Sequence, residues 1–244
     1  MYKKQLSNER RLNKFIASVG ICSRREADTL IQGGQITVNS QPITRLGYKV
    51  KPTDGVKYQN KILKAEQLVH ILLNKPKDFI TTTSDPQKRK TVMQLVKHAC
   101  RERVYPVGRL DRNTTGLLLL TNDGDLAKKL SHPSNTIKKV YQVVLDKPMN
   151  AADFRKIQEG VTLEDGVAQV DELAMLSPGR KCIGIALHMG RNKIVRRIVE
   201  HLGYHVVKLD RVAYATLTKK GLPRGKWRFL TEKERLHLEY LSRS

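Results

Sequence analysis

The residues that could carry chemistry are concentrated in one segment, residues 107–124. Arg109 and Asp111 stand in a short stretch bounded by two glycines, which leads directly into four consecutive leucines, Leu117 to Leu120. The leucine run has to be buried, and loops attached to a buried, rigid element often hold catalytic groups. On the local pattern alone, however, a structural ion pair or a turn carboxylate at Asp111 explains the loop better than catalysis does.

Other types of site find little support in the sequence. The chain has no G-x-x-x-x-G-K-[ST] phosphate loop, no G-x-G-x-x-G fingerprint and no G-x-S-x-G elbow, which argues against a nucleotide cofactor and a serine hydrolase. His201 and His205 are four residues apart, but a glycine separates them and the H-E-x-x-H order is absent. We therefore expect no metal and no cofactor. Cys22, Cys100 and Cys182 are far apart and odd in number, which favours reduced thiols.

The charge of the chain indicates a polyanionic partner. The 244 residues include 46 Lys and Arg against 23 Asp and Glu, a formal net charge of +23, and both residues 1–64 and the remainder are basic. Lys and Arg that neutralise phosphates release counterions and so drive binding to nucleic acid. With 39% apolar residues the chain can still form packed cores. We find neither an apolar run of about 18 residues nor the apolar core of a signal peptide, and therefore expect a cytoplasmic protein with no membrane partner.

A small first domain is predicted over residues 10–60. Apolar residues three and four apart predict a helix that ends at Gly20, and Ser23 with Glu26 has the spacing of a capping box that opens a second helix. That helix stops at a glycine pair, and short strands with a turn at residues 39–42 follow. The basic residues on the exposed helical faces are candidates for RNA contacts: Arg11, Lys14, Arg24 and Arg25.

A larger second domain is predicted over residues 69–241, after a polar linker at residues 59–67. Strands are predicted at 70–74, 139–145, 167–175, 181–188 and 204–217. Helices are predicted at 91–99, 125–131, 151–158, 193–202 and 231–241, the last opened by a capping box at Thr231 and Glu234. Because strands and helices are interleaved without regular βαβ alternation, an α+β domain is favoured over a doubly wound parallel sheet.

Several longer motifs resemble one family of enzymes. G-R-L-D followed by T-G-L-L-L-L-T-N-D-G resembles the catalytic signature of pseudouridine synthases, specifically the RsuA/RluB/RluE/RluF group that modifies ribosomal RNA. Leu73-Asn74-Lys75-Pro76, Lys139-Val140-Tyr141 and residues 190–198 with 208–211 resemble further motifs of that group. Residues 11–39 resemble its usual companion, a small S-four-type RNA-binding module. The resemblance implies that module followed by a catalytic domain with a mixed, mainly antiparallel sheet.

This sequence departs from the family pattern at a few positions. Asp78 and Ser40 stand where glycine is usual, the segment at residues 51–54 lacks its usual glycine, and Ile194 replaces a polar residue. None of these changes removes a group that must react, but each concerns the shape of a loop or turn.

The resemblance also implies roles for individual residues. Asp111 would be the ionised carboxylate that stabilises the charge developing on the sugar or adds covalently to the sugar or the base, much as carboxylates act in glycosidases. Arg196, at the flank of the apolar stripe of its helix, matches the family's basic partner of that aspartate. Tyr141 matches the aromatic residue that stacks on the base and is proposed to help remove the proton from the ring carbon. Arg109, Arg197 and Arg211 are expected to contact the RNA.

The predicted function is the isomerisation of one uridine in ribosomal RNA to pseudouridine, by a monomer bound to ribosomal RNA or a pre-ribosomal particle. Residues 191–193 and 221–227 look closest to the enzymes of the large subunit, which favours 23S rRNA. The alternative is a catalytically silent RNA-binding factor for ribosome assembly or rescue. The intact set Asp111, Tyr141 and Arg196 argues against it. An anionic-membrane protein is a third idea, with little support because a basic amphipathic helix is lacking.

Overall fold

The computed structural model describes residues 9–132 and 134–241, and the chain divides into two compact units between Leu68 and Val69. The first unit extends beyond the segment expected at residues 10–60. Part of the predicted linker is strand, because Lys61–Ile62 pairs with the strand Val56–Tyr58. None of the helices in the described part of the chain is long and apolar enough to cross a lipid bilayer.

The first unit consists of two helices packed on short strands. Its elements in chain order are β1 Arg10–Arg11, α1 Leu12–Ser18, α2 Arg24–Gln32, β2 Ile36–Val38, β3 Gln41–Pro42, β4 Lys49–Val50, β5 Val56–Tyr58 and β6 Lys61–Ile62. The predicted capping box at the start of α2 is confirmed, since the Glu26 amide donates to the Ser23 hydroxyl and the Ser23 amide donates to the Glu26 carboxylate. Ser40 has a φ of 69°, the left-handed conformation that explains the usual glycine there.

The second unit is built on one large sheet. The strands of this unit are β7 His70–Lys75, β8 Tyr105–Pro106, β9 Thr114–Thr121, β10 Lys139–Leu145, β11 Val161–Leu163, β12 Gly166–Ala168, β13 Glu172–Met175, β14 Cys182–Leu187, β15 Val206–Tyr214, β16 Leu217–Thr218 and β17 Trp227–Phe229. Of these, β11 and β12 lie outside the large sheet and form a separate antiparallel pair. The helices of the unit are α3 Val92–Val96, α4 Gly124–Ser131, α5 Ala151–Glu159, α6 Ile194–His201 and α7 Glu232–Leu241. The predicted capping box at Thr231 and Glu234 is confirmed.

The strand order of the large sheet is β13-β14-β10-β15-β9-β7-β17, with β16 beside β15 and β8 beside β9. Within this sheet β15 and β9 are parallel and the other named pairs are antiparallel. The mixed, mainly antiparallel sheet of an α+β domain is therefore confirmed. Two predicted strands are divided: β12 and β13 replace residues 167–175, and a turn with Ala215 at a φ of 52° separates β15 from β16.

The leucine run forms the middle of β9. Leu117 and Leu119 belong to one buried cluster, whereas Leu118 and Leu120 belong to another, because successive side chains of a strand point to opposite faces. All four side chains are fully buried. A strand covered on both faces needs this continuous apolar sequence. The result is a rigid element immediately after the Asp111 loop.

Candidate active site

Asp111 lies on an exposed turn whose backbone is fixed at both ends. The preceding Leu110 is buried, and its carbonyl oxygen accepts a hydrogen bond of 2.8 Å from the Thr81 hydroxyl. At the other end the Thr114 amide donates to the Asp111 carbonyl oxygen at 3.0 Å, just where β9 begins. The Asp111 residue itself is exposed. The carboxylate is thus open to a substrate while its backbone is held.

A buried lysine holds the same turn from below. Lys75, at the end of β7, is fully buried. Its ammonium group donates to the carbonyl oxygens of Thr114 at 2.8 Å, Asp111 at 3.0 Å and Pro76 at 3.2 Å. Burial lowers the pKa of Lys75 to about 8, and the nearby Asp111 carboxylate opposes that shift. The sequence indicated no role for Lys75 beyond its place in a family motif. A lysine at the end of an apolar strand was the one feature of the sequence that could have indicated a buried ammonium group.

Tyr141 lies in β10, the strand between β14 and β15 in the large sheet. Its half-buried side chain packs against the hydrophobic cluster that contains Leu110 and also against the cluster that contains Val195 of α6. Tyr141 therefore contacts two buried clusters, one of which includes Leu110 and the other of which includes residues of α6. An aromatic ring in this position could offer a face to a base that has left its stack.

Helix α6 presents two arginines beside a buried apolar stripe. The stripe consists of Ile194, Val195, Ile198 and Val199. Arg196 is half-buried and donates to the Val206 carbonyl oxygen at 3.4 Å. Among the described residues no ion pair joins Arg196 to Asp111, so that pairing stays a prediction. Ile194 is buried, which explains why an apolar residue is suitable at this position, although the family usually has a polar one there.

Arg197 is engaged by an acidic hairpin. Both of its terminal nitrogens donate to the Asp165 carboxylate, at 2.9 and 2.6 Å, between β11 and β12. These hydrogen bonds lower the pKa of Asp165 to about 2. The Asp165 side chain is 46% exposed, so a phosphate group could compete for Arg197 at this surface. Arg109, by contrast, is exposed on the Asp111 loop itself.

The expected RNA contact at Arg211 has to be corrected. Arg211 is 3% exposed, its Nε donates to the Leu117 carbonyl oxygen at 2.7 Å, and its guanidinium lies 4.6 Å from the Tyr214 ring centroid. The physical reason is its strand, because β15 lies between β10 and β9 inside the sheet. A Cβ at Gly116 would lie 2.2 Å from the Arg211 carbonyl oxygen, so the glycine of the motif permits this close strand approach.

Asp78, which replaces a glycine, fits its position. Its φ is 69°, its amide donates to the Arg112 carbonyl oxygen at 2.9 Å, and its carboxylate accepts from Arg112 Nε at 3.2 Å. The substitution therefore adds an exposed ion pair beside Asp111.

In the first unit Arg11, Arg24 and Arg25 are exposed and Lys14 is half-buried. Over residues 9–132 and 134–241 no group of three or more His, Cys, Asp or Glu is placed to hold a metal ion.

Comparisons with known proteins match both units. The family model described as "RNA pseudouridylate synthase" matches residues 69–201, and the one described as "S4 domain" matches residues 10–56. "Ribosomal large subunit pseudouridine synthase B" of Bacillus subtilis (strain 168) is 39% identical over 236 residues, which cover 95% of this chain and 96% of the relative. "Dual-specificity RNA pseudouridine synthase RluF" of Escherichia coli (strain K12) is 39% identical over 93% of this chain and 78% of the relative.

A solved structure agrees with these matches. The "Crystal structure of pseudouridylate synthase" is 27% identical, covers 93% of this chain and 99% of its own, and superposes with a TM-score of 0.68. The similarity extends over both units of the chain.

Proposed function

This chain belongs to the RNA pseudouridylate synthase family, and on that premise we propose that it isomerises a uridine of ribosomal RNA to pseudouridine with Asp111 as the catalytic carboxylate. The observation that carries the proposal is the Asp111 turn. Its backbone is fixed by Lys75 and by β9, whereas the residue itself is exposed. Fixed backbone with an accessible reacting group is the arrangement that catalysis on a bound base requires.

The chemistry needs a carboxylate and no redox partner. The bond between the ribose and the uracil nitrogen breaks, the uracil turns, and the ring carbon forms a bond to the same ribose carbon. The ring carbon loses its proton and the nitrogen gains one, so the atoms balance without a co-reactant. An ionised Asp111 stabilises the positive charge on the sugar or adds covalently during the exchange.

Tyr141 and Arg196 act beside Asp111 in this proposal. Extrusion of a base from its stack costs a few kcal/mol, and a ring face at Tyr141 offsets part of that cost. The Tyr141 hydroxyl then helps to remove the proton from the ring carbon. Arg196 is the proposed basic partner of Asp111 and favours the charged form of the carboxylate as water is excluded. Arg109 and Arg197 contact the RNA backbone.

The proposed target is a uridine of large-subunit, 23S ribosomal RNA. The Bacillus subtilis relative is named for the large ribosomal subunit, and its 39% identity covers nearly all of both chains. In this proposal the exposed arginines of the first unit, Arg11, Arg24 and Arg25, together with Lys14, bind RNA outside the target nucleotide. In this proposal the protein acts in the cytoplasm as a monomer, and one chain supplies Lys75, Asp111, Tyr141 and Arg196.

The test uses 16S and 23S rRNA labelled with tritium at the uridine ring carbon, both free and in precursor particles. We expect the purified protein to release tritium from 23S rRNA, and sequencing of the product to locate one pseudouridine. The same position should remain uridine in cells that lack the protein. Tight, salt-sensitive binding without release from any ribosomal RNA would instead support a silent assembly factor.

A further inference from the structure

Asp210 joins β15 to the strand that follows the Asp111 turn. Asp210 is 9% exposed and lies opposite Thr115 in the parallel pair of β15 and β9. Its carboxylate accepts hydrogen bonds from the Thr115 hydroxyl at 2.8 Å and from Arg224 at 2.8 Å, and it also accepts from the Lys219 ammonium. One buried carboxylate therefore binds Thr115 of β9 together with two cationic side chains, Lys219 and Arg224, that precede β17 in the chain.

Arg224 carries the connection to the other side of the turn. The same guanidinium nitrogen that donates to Asp210 also lies 2.9 Å from the Asn74 side-chain oxygen and 3.3 Å from the Lys75 carbonyl oxygen. Asn74 makes two further hydrogen bonds to the residues around Arg224. Its side-chain amide donates to the Leu222 carbonyl oxygen at 2.7 Å, and its backbone carbonyl oxygen accepts from the Gly225 amide at 2.8 Å. The end of β7 is thus bound to residues 222–226.

We propose that Asp210 is a positioning residue for the Asp111 turn. It acts on the turn through Thr115, four residues after Asp111, and through Arg224, which contacts the backbone of Lys75. Lys75 in turn binds the carbonyl oxygens of Asp111 and Thr114. The proposal rests on the proposed function, because Asp210 can affect the rate of pseudouridine formation in this way only if Asp111 is catalytic.

The exposure of the partners indicates local loosening rather than unfolding when the charge is removed. The side chains of Arg224 and Lys219 are 41% and 32% exposed, whereas that of Asp210 is 12% exposed. Without the carboxylate both cations can turn into solvent, so neither is trapped as a buried charge. Arg224 would then leave Asn74 and Lys75, and the turn would lose its support from that side.

The experiment compares Asp210→Asn, Asp210→Glu and Thr115→Val with Asp153→Asn as a matched control. Asp153 has a side chain 14% exposed and accepts hydrogen bonds from Tyr204, Lys156 and Asn150, away from the Asp111 turn in the hydrogen-bond network. Each full-length variant is measured for thermal stability, RNA affinity, single-turnover tritium release at saturating rRNA, and amide hydrogen exchange in peptides covering residues 72–78 and 109–117.

We expect Asp210→Asn to slow single turnover by about tenfold to a hundredfold with RNA affinity changed less than about threefold, because a displacement of the turn misplaces Asp111. Exchange in both peptides should accelerate. Thr115→Val should show a smaller loss of the same kind, and Asp210→Glu should recover most of the rate. Asp153→Asn should lose stability while its turnover per folded molecule stays unchanged.

A turnover rate for Asp210→Asn equal to that of Asp153→Asn would overturn the proposal, whatever its thermal stability. Unchanged exchange at residues 109–117 in all three site variants would also overturn it. Failure of the proposed function is distinguishable, since it would appear as no release by the unaltered protein on any ribosomal RNA. Hydrogen exchange needs no substrate and would still decide whether Asp210 orders the turn.

Discussion

The ammonium nitrogen of Lys75 lies 2.8 Å from the carbonyl oxygen of Thr114 and also binds that of Asp111 at 3.0 Å. One buried donor therefore holds both ends of the turn that presents Asp111. The pairing of β7 with β9 brings these residues together although 36 positions separate Lys75 from Asp111 in the chain. The position of the proposed catalytic carboxylate thus depends on strand pairing more than on the local loop sequence.

Lys75→Met should lower the free energy of unfolding by about 2 kcal/mol. The lowering of the lysine pKa from 10.5 to about 8 is the net effect of burial and of nearby charges, and it corresponds to a cost of about 3 kcal/mol for the charged form, which the substitution would recover. Against this, three carbonyl oxygens within 3.2 Å lose their donor, at about 1–3 kcal/mol each. Urea unfolding measures the net change, with the exposed neighbour Lys77→Met as control. A more stable Lys75→Met variant would show that these hydrogen bonds to carbonyl oxygens contribute little.

Tyr141→Phe should slow tritium release by more than about tenfold while RNA affinity changes little. The ring keeps its packing against both clusters and its face for the base, so the variant removes only the hydroxyl that is proposed to assist proton removal. Tyr214→Phe is the matched control, because its hydroxyl donates to the Leu130 carbonyl oxygen, and we expect lower stability at unchanged turnover. Full activity of Tyr141→Phe would limit Tyr141 to stacking.

The stability difference between the unaltered protein and Asp210→Asn should depend on acid pH. Hydrogen bonds from Arg224, Lys219 and Thr115 outweigh desolvation and lower the pKa of Asp210 from 3.8 to about 2. Between these two pKa values the unfolded chain therefore binds the proton more readily than the folded protein does. The charged Asp210 stabilises the folded protein by about 2 kcal/mol, and this stabilisation is complete above about pH 5 and is lost as the pH falls towards 2. Urea unfolding should show a difference reduced to roughly half at about pH 3. The apolar control Ile157→Val should change the free energy of unfolding by an amount that does not depend on pH. If the effect of Asp210→Asn were equally independent of pH, the lowered pKa of Asp210 would be refuted.

Substitution of Arg24 and Arg25 by alanine should weaken rRNA binding and make it less dependent on salt. Both side chains are exposed on α2, and each phosphate that such a side chain neutralises adds roughly one to the steepness of log K against log salt. Single turnover at saturating RNA should stay within about twofold. Arg155→Ala, which removes a charge of the same kind from α5, serves as control. A loss of turnover with unchanged affinity would mean that these residues act on the catalytic step.

Local features of the fold were predictable, whereas interactions between distant residues were not. The capping boxes at Ser23 and Thr231 were predicted correctly because both partners lie within one helical turn. The leucine run indicated burial, but nothing local showed that it forms a strand between β15 and β7. Arg211 looked like a surface charge, yet the position of its strand inside the sheet buries it. Lys75 and Asp210 were missed for the same reason.

Single-turnover tritium release by Asp111→Asn decides the claim that the Asp111 carboxylate performs the chemistry. Because Asp111 is exposed and asparagine has the same shape, the variant should fold and bind 23S rRNA as the unaltered protein does. We predict that tritium release is abolished while RNA affinity changes less than about threefold. Release at the rate of the unaltered protein would contradict the claim and remove Asp111 from the mechanism.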